Sequence, residues 1–196
     1  TNNLRVKSSK FIDETYKISF KFNNKTYYGF KGDTLASALL ANGIHLVGRS
    51  FKYHRPRGIM TAGSEEPNAI VQLHKNTSRT EPNVRATEIE IYEGLEASSQ
   101  NCWPSVNFDI GAINNFLRIF LPAGFYYKTF MWPKSFWFKV YEPFIRKAAG
   151  LGVASTKHDK ERYEHKYEYC DLLVTGSGPS GLASAYAAAK NGARVI

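Results

Sequence analysis

DLLVTGSGPSGLASAYAAAKNGARVI, residues 171–196, decides how the last part of this chain folds. Leu172, Leu173 and Val174 form a short apolar run, the pattern of a parallel strand covered on both faces. Gly176, Gly178 and Gly181 follow in the spacing G-x-G-x-x-G. The Ala-rich residues 182–190 have strong helix propensity. Asn191-Gly192 stops that helix, because both residues tolerate the left-handed backbone that ends many helices. Residues 194–196 begin a second strand. Strand, glycine turn, helix, strand is the setting that a dinucleotide-binding fingerprint requires.

Each glycine has its own physical reason. Gly176 allows the tight turn, Gly178 a close approach of backbone to pyrophosphate, and Gly181 close packing of helix on strand. Free N–H groups and the dipole at the helix start favour phosphate charge. Pro179 and Ser180 fall in the first turn, where proline forfeits no hydrogen bond. The candidate cofactor-binding residues are therefore Gly176, Gly178, Pro179, Ser180 and Gly181, and the reading is the first β-α-β portion of a Rossmann domain, residues 170–196. The competing reading is a glycine turn that only packs a helix on a sheet. The acid that holds the ribose falls about 20 residues after the glycines, past Ile196, so the expected site is incomplete within this sequence.

Across 196 residues the formal charge is +9, which suits anionic partners or a solvated basic surface in an assembly with acidic subunits. Aromatic residues make up 14% of the chain. Cys102 and Cys170 are the only cysteines, which excludes a disulfide framework and a C-x-x-C pair and points to a reducing, cytoplasmic setting. The first residues lack the apolar core of a signal peptide. No apolar run of the roughly 18 residues needed to span a bilayer is present.

Residues 1–15 are polar and read as an N-terminal arm. Ile18, Phe20 and Phe22 alternate with Lys17, Ser19 and Lys21, as in a half-buried strand. Asn23-Asn24 makes a two-residue hairpin turn, and residues 25–30 form the return strand. Asp33 or Thr34 caps a helix whose apolar face holds Leu35, Ala38 and Leu39. Further strands are expected at residues 69–73 and 87–92, the second from the alternation of Ile89 and Ile91 with Glu88 and Glu90. Hairpin, helix and later strands, residues 16–93, have the order of a ferredoxin-like β-grasp domain of the α+β class.

The loop after the helix, GRSFKYHRPRGIMTAGSEEPN (residues 48–68), stands where a ferredoxin carries its cluster cysteines and contains none. Thiolate ligation of an iron–sulfur cluster is thereby excluded there. It holds Arg49, Lys52, His54, Arg55 and Arg57 instead. Two readings are open: an anion or cofactor-phosphate clamp, since arginine offers a rigid fork of donors, or a basic loop docked on acidic neighbours. His45, His54 and His74 lack the carboxylates or thiols of a metal centre at ligand spacing, and no metal site is expected. The adjacent Glu65 and Glu66 point to opposite faces of an extended segment and are not read as an acid–base pair. No catalytic residue is assigned.

Residues 94–169 read as a connector and charged linker. Pro104, Pro122, Pro133 and Pro143 break the aromatic part into short helices and turns. Its rings suit packing between domains or against a partner subunit. A membrane-surface patch, with Lys128, Lys134 and Lys139 interleaved, is the competing reading. Residues 155–169 are polar and exposed.

SFKYHRPRGIMTAGSEEPNA (residues 50–69), PNVRAT (82–87), PAGFYYKTFMWP (122–133) and VTGSGPSGLASA (174–185) together resemble the N-terminal part of the alpha subunit of heterotetrameric sarcosine oxidases. The likeness runs over about residues 12–196, although a full alpha subunit is several times longer. It implies an oxidoreductase that demethylates sarcosine to glycine, forms hydrogen peroxide and passes the one-carbon unit to tetrahydrofolate. It implies a cytoplasmic assembly with beta, gamma and delta subunits. FAD sits in the beta subunit, FMN between alpha and beta, NAD in the alpha Rossmann domain and zinc in a small subunit. By that resemblance the chain alone is inactive and binds neither nucleic acid nor membrane. Two other functions fit the bare pattern: a subunit of a related secondary-amine dehydrogenase acting on proline or an N-methyl amino acid, and a basic nucleic-acid-binding β-grasp module. The latter would lose affinity steeply with salt.

Overall fold

The computed structural model describes residues 4–5, 11–75, 79–158 and 162–196. It divides into two compact units, residues 1–158 and 159–196.

In the first unit, β1 (Asp13–Phe22) and β2 (Lys25–Lys31) form the expected hairpin, with Phe20 opposite Tyr27 and Ile18 opposite Gly29. Asn23 and Asn24 have φ of 50° and 63°, the conformation that a two-residue turn needs to match strand twist. Helix α1 (Leu35–Ala41) starts at Thr34, whose side chain accepts from Ser37 N, so Thr34 and not Asp33 is its cap. Asp33 is fully buried and accepts from Phe30 N, Ser37 Oγ and the Arg5 guanidinium. Arg5 also lies over the Phe30 ring. That much of the polar arm is docked on the domain.

The loop after α1 contains a ribbon of β3 (Gly48–Arg49) and β4 (Pro56–Arg57). Then follow β5 (Ile70–Lys75), β6 (Arg79–Arg85) and β7 (Leu95–Ser99). The main sheet runs β2-β1-β7-β5-β6, with β1 and β7 parallel and the other pairs antiparallel. Its core takes Ile18, Phe20 and Phe22 from β1, Leu35, Ala38 and Leu39 from α1, and Leu73 and Leu95 from β5 and β7. This is the β-grasp arrangement of a mixed sheet closed by one helix.

The expected strand at residues 87–92 is not a strand. It is a turn and a single bridge, Thr34 to Glu90. Ile91 is buried and Ile89 packs on the core, so the alternation reports side-chain burial correctly. The backbone bonds go elsewhere: Leu35 N donates to Ile89 O, and Ile91 N to Asp33 O. The segment ties down the start of α1 instead of joining the sheet. The strands used are β6 and β7. β6 carries Pro82 and takes the sheet edge, where a missing donor is tolerated. Its pairing shifts between Val71 and Leu73, beside Asn83 at φ 60°. β7 lies past residue 93, so the sheet is completed by residues assigned in sequence to the connector.

Residues 103–153 are broken as their prolines dictate. A 3-10 stretch (Ile110–Ile119), α2 (Phe125–Thr129), a 3-10 turn (Lys134–Phe136), a π turn (Trp137–Tyr141) and α3 (Glu142–Ala148) follow one another. The segment belongs to the first unit. Its end returns to the sheet, where Val153 N donates to Gln72 Oε1 and Gln72 Nε2 donates to Val153 O.

In the second unit, Leu172 and Val195 form a parallel bridge, with Val174 N donating to Ile196 O and Ile196 N to Leu172 O. Between them lies α4 (Pro179–Lys190), ended at Asn191 with Gly192 at φ 85°. The helix lies where the sequence places it, and the two expected strands are represented by this single parallel bridge.

Candidate functional site

The basic loop is held by groups that its composition does not announce. Arg49 donates through Nε and Nη2 to Val106 O at 2.8 and 2.7 Å, and through Nη1 to His54 O. Lys52 Nζ donates to Pro122 O and lies over the Phe125 ring. Tyr53 Oη donates to Leu121 O, and Arg55 Nε to Asn115 Oδ1. His54 Nδ1 lies 2.6 Å from Oδ2 of Asp109, a buried acid whose other oxygen accepts from Trp103 N and Gly111 N. The loop is thus docked, but on carbonyl oxygens and rings, with Asp109 the one acid its side chains meet among the described residues. That corrects the expectation of acidic neighbours. Arginine satisfies several carbonyls at once because its five donors are fixed in one plane.

Of the five basic side chains only Arg57 has no partner among the described residues. It lines a cavity of about 310 Å³ together with Arg49, Lys52, Asn68 and Asn101. Three of the loop's basic side chains thus meet at the cavity, and Arg57 is the one of them not bonded to a carbonyl among the described residues. Burial first, then the Asp109 charge, push the Cys102 thiol above its usual range. Cys102, near the His54–Asp109 pair, is not an activated nucleophile.

Glu66 is the residue that sequence reasoning passed over. It is buried and accepts from four backbone N–H groups: Met60 and Thr61 on Oε2, Asn68 and Ala69 on Oε1. Burial pushes its carboxyl up, but the four bonds outweigh burial and hold it below the ordinary carboxylate range. One carboxylate gathers the loop at the position where a ferredoxin uses its cluster. No sequence signal separates it from Glu65.

In the second unit the three glycines of the turn differ in what they allow. Gly176 sits at φ 106°, open to glycine and costly to other residues. A Cβ on Gly181 would collide with the Gly176 carbonyl oxygen and touch Val174, so α4 packs on the turn only because position 181 is bare. Gly178, the N-cap of α4, has ordinary φ and empty space on its Cβ side. No side chain caps this helix. Its first N–H groups are left free by geometry and face a turn without bulk.

A family model described as a 2Fe-2S iron-sulfur cluster binding domain matches residues 15–102. The chain is 60% identical over 192 residues to the sarcosine oxidase subunit alpha of Rhizobium meliloti (strain 1021), which is 98% of this chain and 19% of that protein. It is a homologue of sarcosine oxidase alpha subunits. A second such subunit, from Corynebacterium sp. (strain U-96), is 31% identical over 94% of this chain and 14% of its own length. The homologue described here thus spans less than a fifth of the curated relatives it matches. The crystal structure of L-proline dehydrogenase from P. horikoshii is 26% identical over 45% of this chain and 16% of that one, at a TM-score of 0.34, too low to carry an argument.

A cluster of the kind named by the family model does not fit these residues. It needs four thiolate or similar ligands. The loop has no cysteine, and the chain's two, Cys102 and Cys170, fall in separate units. Among the described residues no three of His, Cys, Asp and Glu gather as metal ligands. Among the same residues no helix is long and apolar enough to cross a membrane.

Proposed function

We propose that this chain is the N-terminal portion of the alpha subunit of a heterotetrameric sarcosine oxidase. The observation that carries the reading is 60% identity across 98% of the chain to a curated alpha subunit. The whole enzyme, acting in the cytoplasm, converts sarcosine, oxygen and tetrahydrofolate into glycine, hydrogen peroxide and methylene-tetrahydrofolate. Flavins in the assembly, FAD in the beta subunit and FMN between alpha and beta, supply the redox chemistry; zinc belongs to a small subunit. The contribution of this segment is scaffold, subunit contact and one phosphate-binding turn, with no residue that reacts with the amine.

That turn opens a Rossmann domain for NAD. Gly176, Gly178, Pro179, Ser180 and Gly181 would hold the pyrophosphate. The empty side of Gly178 supports this, since it lets an anion reach backbone donors of α4, while the bare Gly181 lets the helix pack on the turn. Gly178→Ala in the full-length subunit is the informative variant. Its added methyl meets nothing and its φ is ordinary, so the fold is unchanged while NAD affinity falls at least tenfold by calorimetric titration. Unchanged affinity would sink the NAD assignment.

For the reaction, the complex assembled with the full-length chain is offered sarcosine, proline and other N-methyl amino acids. Peroxide and folate-dependent capture of the methyl carbon are read in each case. Turnover of proline without peroxide would replace this reading with a secondary-amine dehydrogenase.

A further inference from the structure

Arg49, Lys52 and Arg57 bring three positive charges to the wall of one cavity of about 310 Å³, and no acid is among its described lining residues. That volume sits at the small end of ligand pockets, which run from about 300 to 1,000 Å³. Bonds to carbonyls occupy donors of Arg49 and Lys52 without cancelling their charge. None of the three cations makes an ion pair among the described residues. Glu66, next in sequence to the lining residue Pro67, already accepts from four backbone N–H groups, so its carboxylate is not free to turn toward them. A concave wall carrying charge of one sign concentrates counter-ions.

Unspent donors belong to the same lining. The Arg57 guanidinium is one. Residues 50–54 form a turn closed by His54 N donating to Ser50 O, with His54 at φ 51°. Turns of this kind leave successive backbone N–H groups available to an anion. Those of the lining residues Phe51, Lys52 and Tyr53 meet no acceptor among the described residues. Asn83 adds a side-chain donor. Its Oδ1 accepts from Gln100 Nε2 and Gly152 N, and its own N donates to Gln100 Oε1, so the amide nitrogen is the end left over. The frame is fixed as well. Asn101 Nδ2 donates to the carbonyls of Arg49 and Ser50. Gly150, at φ 66°, closes on the Asn101 amide so tightly that a Cβ there would collide with it.

We propose that this cavity binds a small phosphate-class dianion, free or at the end of a phosphomonoester. Arg57 supplies a rigid fork of donors, the turn supplies backbone N–H groups, and Arg49 and Lys52 supply charge. Donors drawn from β4, the turn before it and β6 suit the four oxygens of a tetrahedral anion better than the two coplanar oxygens of a carboxylate. The cavity belongs to the first unit and the glycine turn to the second, so the inference goes beyond the NAD reading and does not depend on which amine is oxidised.

The test is equilibrium dialysis of radiolabelled inorganic phosphate against the full-length chain in its complex. A saturable equivalent is expected that Arg57→Gln weakens at least tenfold and Gly178→Ala leaves unchanged. That pattern places the anion in the first unit whether or not NAD binds in the second. Arg57 makes no bond within the described fold, so Arg57→Gln should melt at the native temperature without phosphate, and phosphate should raise the melting temperature of the native chain more than that of the variant. Arg57→Lys, which keeps the charge and loses the fork, should fall between the two in affinity. Glycerol phosphate should displace the label if an ester end is accepted and leave it in place if only the free anion is; acetate at the same concentration should not displace it. Equal displacement by acetate would overturn the phosphate class. Absence of saturable phosphate would overturn the site itself, because later residues of the chain or a partner would then fill the cavity. Equal binding by native chain and Arg57→Gln would place the anion elsewhere and overturn it too.

Discussion

Phe20 and Phe138 are the same residue in two regions of one unit, one 1% exposed and the other 82%. The sheet that ends at Ser99 places its apolar side chains inward, against one helix. The segment after it places them outward and spends its polar contacts on holding the basic loop. The first region is stabilised by burying itself. The second has a fixed backbone, anchored by Arg49, Lys52 and Gln72, but leaves its apolar area for something else to cover. Burial of the core and exposure of large apolar side chains thus fall on different stretches of sequence.

The comparison breaks most readily at Phe20. It is buried between Tyr27 and the parallel neighbour Leu95, and Phe20→Ala should cost about 3–5 kcal/mol. Urea unfolding of the chain reads this directly. A loss below about 1 kcal/mol would mean that the sheet does not hold the unit together.

Glu66 comes next. Glu66→Gln keeps the shape but turns an amide donor toward N–H groups, leaving one or two unpaired. The expected cost is about 2–3 kcal/mol, since an unmet buried donor costs roughly 1–3 kcal/mol. The variant also has a pH signature. The folded carboxyl titrates below its ordinary value of 4.5, so its stabilisation is complete above that pH and disappears as pH falls through the folded value. The difference between native chain and variant should therefore shrink under acid. A constant difference from pH 7 down to pH 3, sampled by thermal melts, would show that the four N–H bonds are not what Glu66 contributes.

Thr34→Ala removes the α1 cap and should cost about 1 kcal/mol, read as a small drop in melting temperature. Asp33→Ala should cost more, because it leaves Arg5, Phe30 N and Ser37 Oγ without their buried acceptor. The reverse ranking would mean that the buried bonds of Asp33 contribute less than the cap.

Legibility in the sequence follows the range of the interactions. The hairpin, α1 and the glycine turn are set by neighbours a few residues apart, and Asn23-Asn24, Thr34 and Gly176 announce them. β7 is not announced. LEASS is short and mostly small or polar, and it becomes a central strand only because β1 and β5 leave a gap for it. Residues 87–92 mislead for the complementary reason: periodicity reports which side chains are buried, not where the backbone bonds go. The basic loop reads as an anion clamp because Arg49 and Lys52 look free in sequence, whereas their acceptors are carbonyls, most of them more than 50 residues away. Carbonyl acceptors carry no side-chain signature. The glycines at 176 and 181 are legible because the geometry forbids a side chain at both.

The smallest expected effect is the sharpest test of the contrast. Phe138→Ala repeats the Phe20 substitution on the outward face. Nothing inside the unit depends on that ring, so stability should change by no more than about 0.5 kcal/mol. Removing exposed aromatic area should instead raise the concentration at which the chain stays monodisperse in light scattering. A cost near that of Phe20→Ala would mean that the ring is buried in the folded chain and that residues 103–153 form a second core. The two phenylalanines would then differ only in which core they occupy.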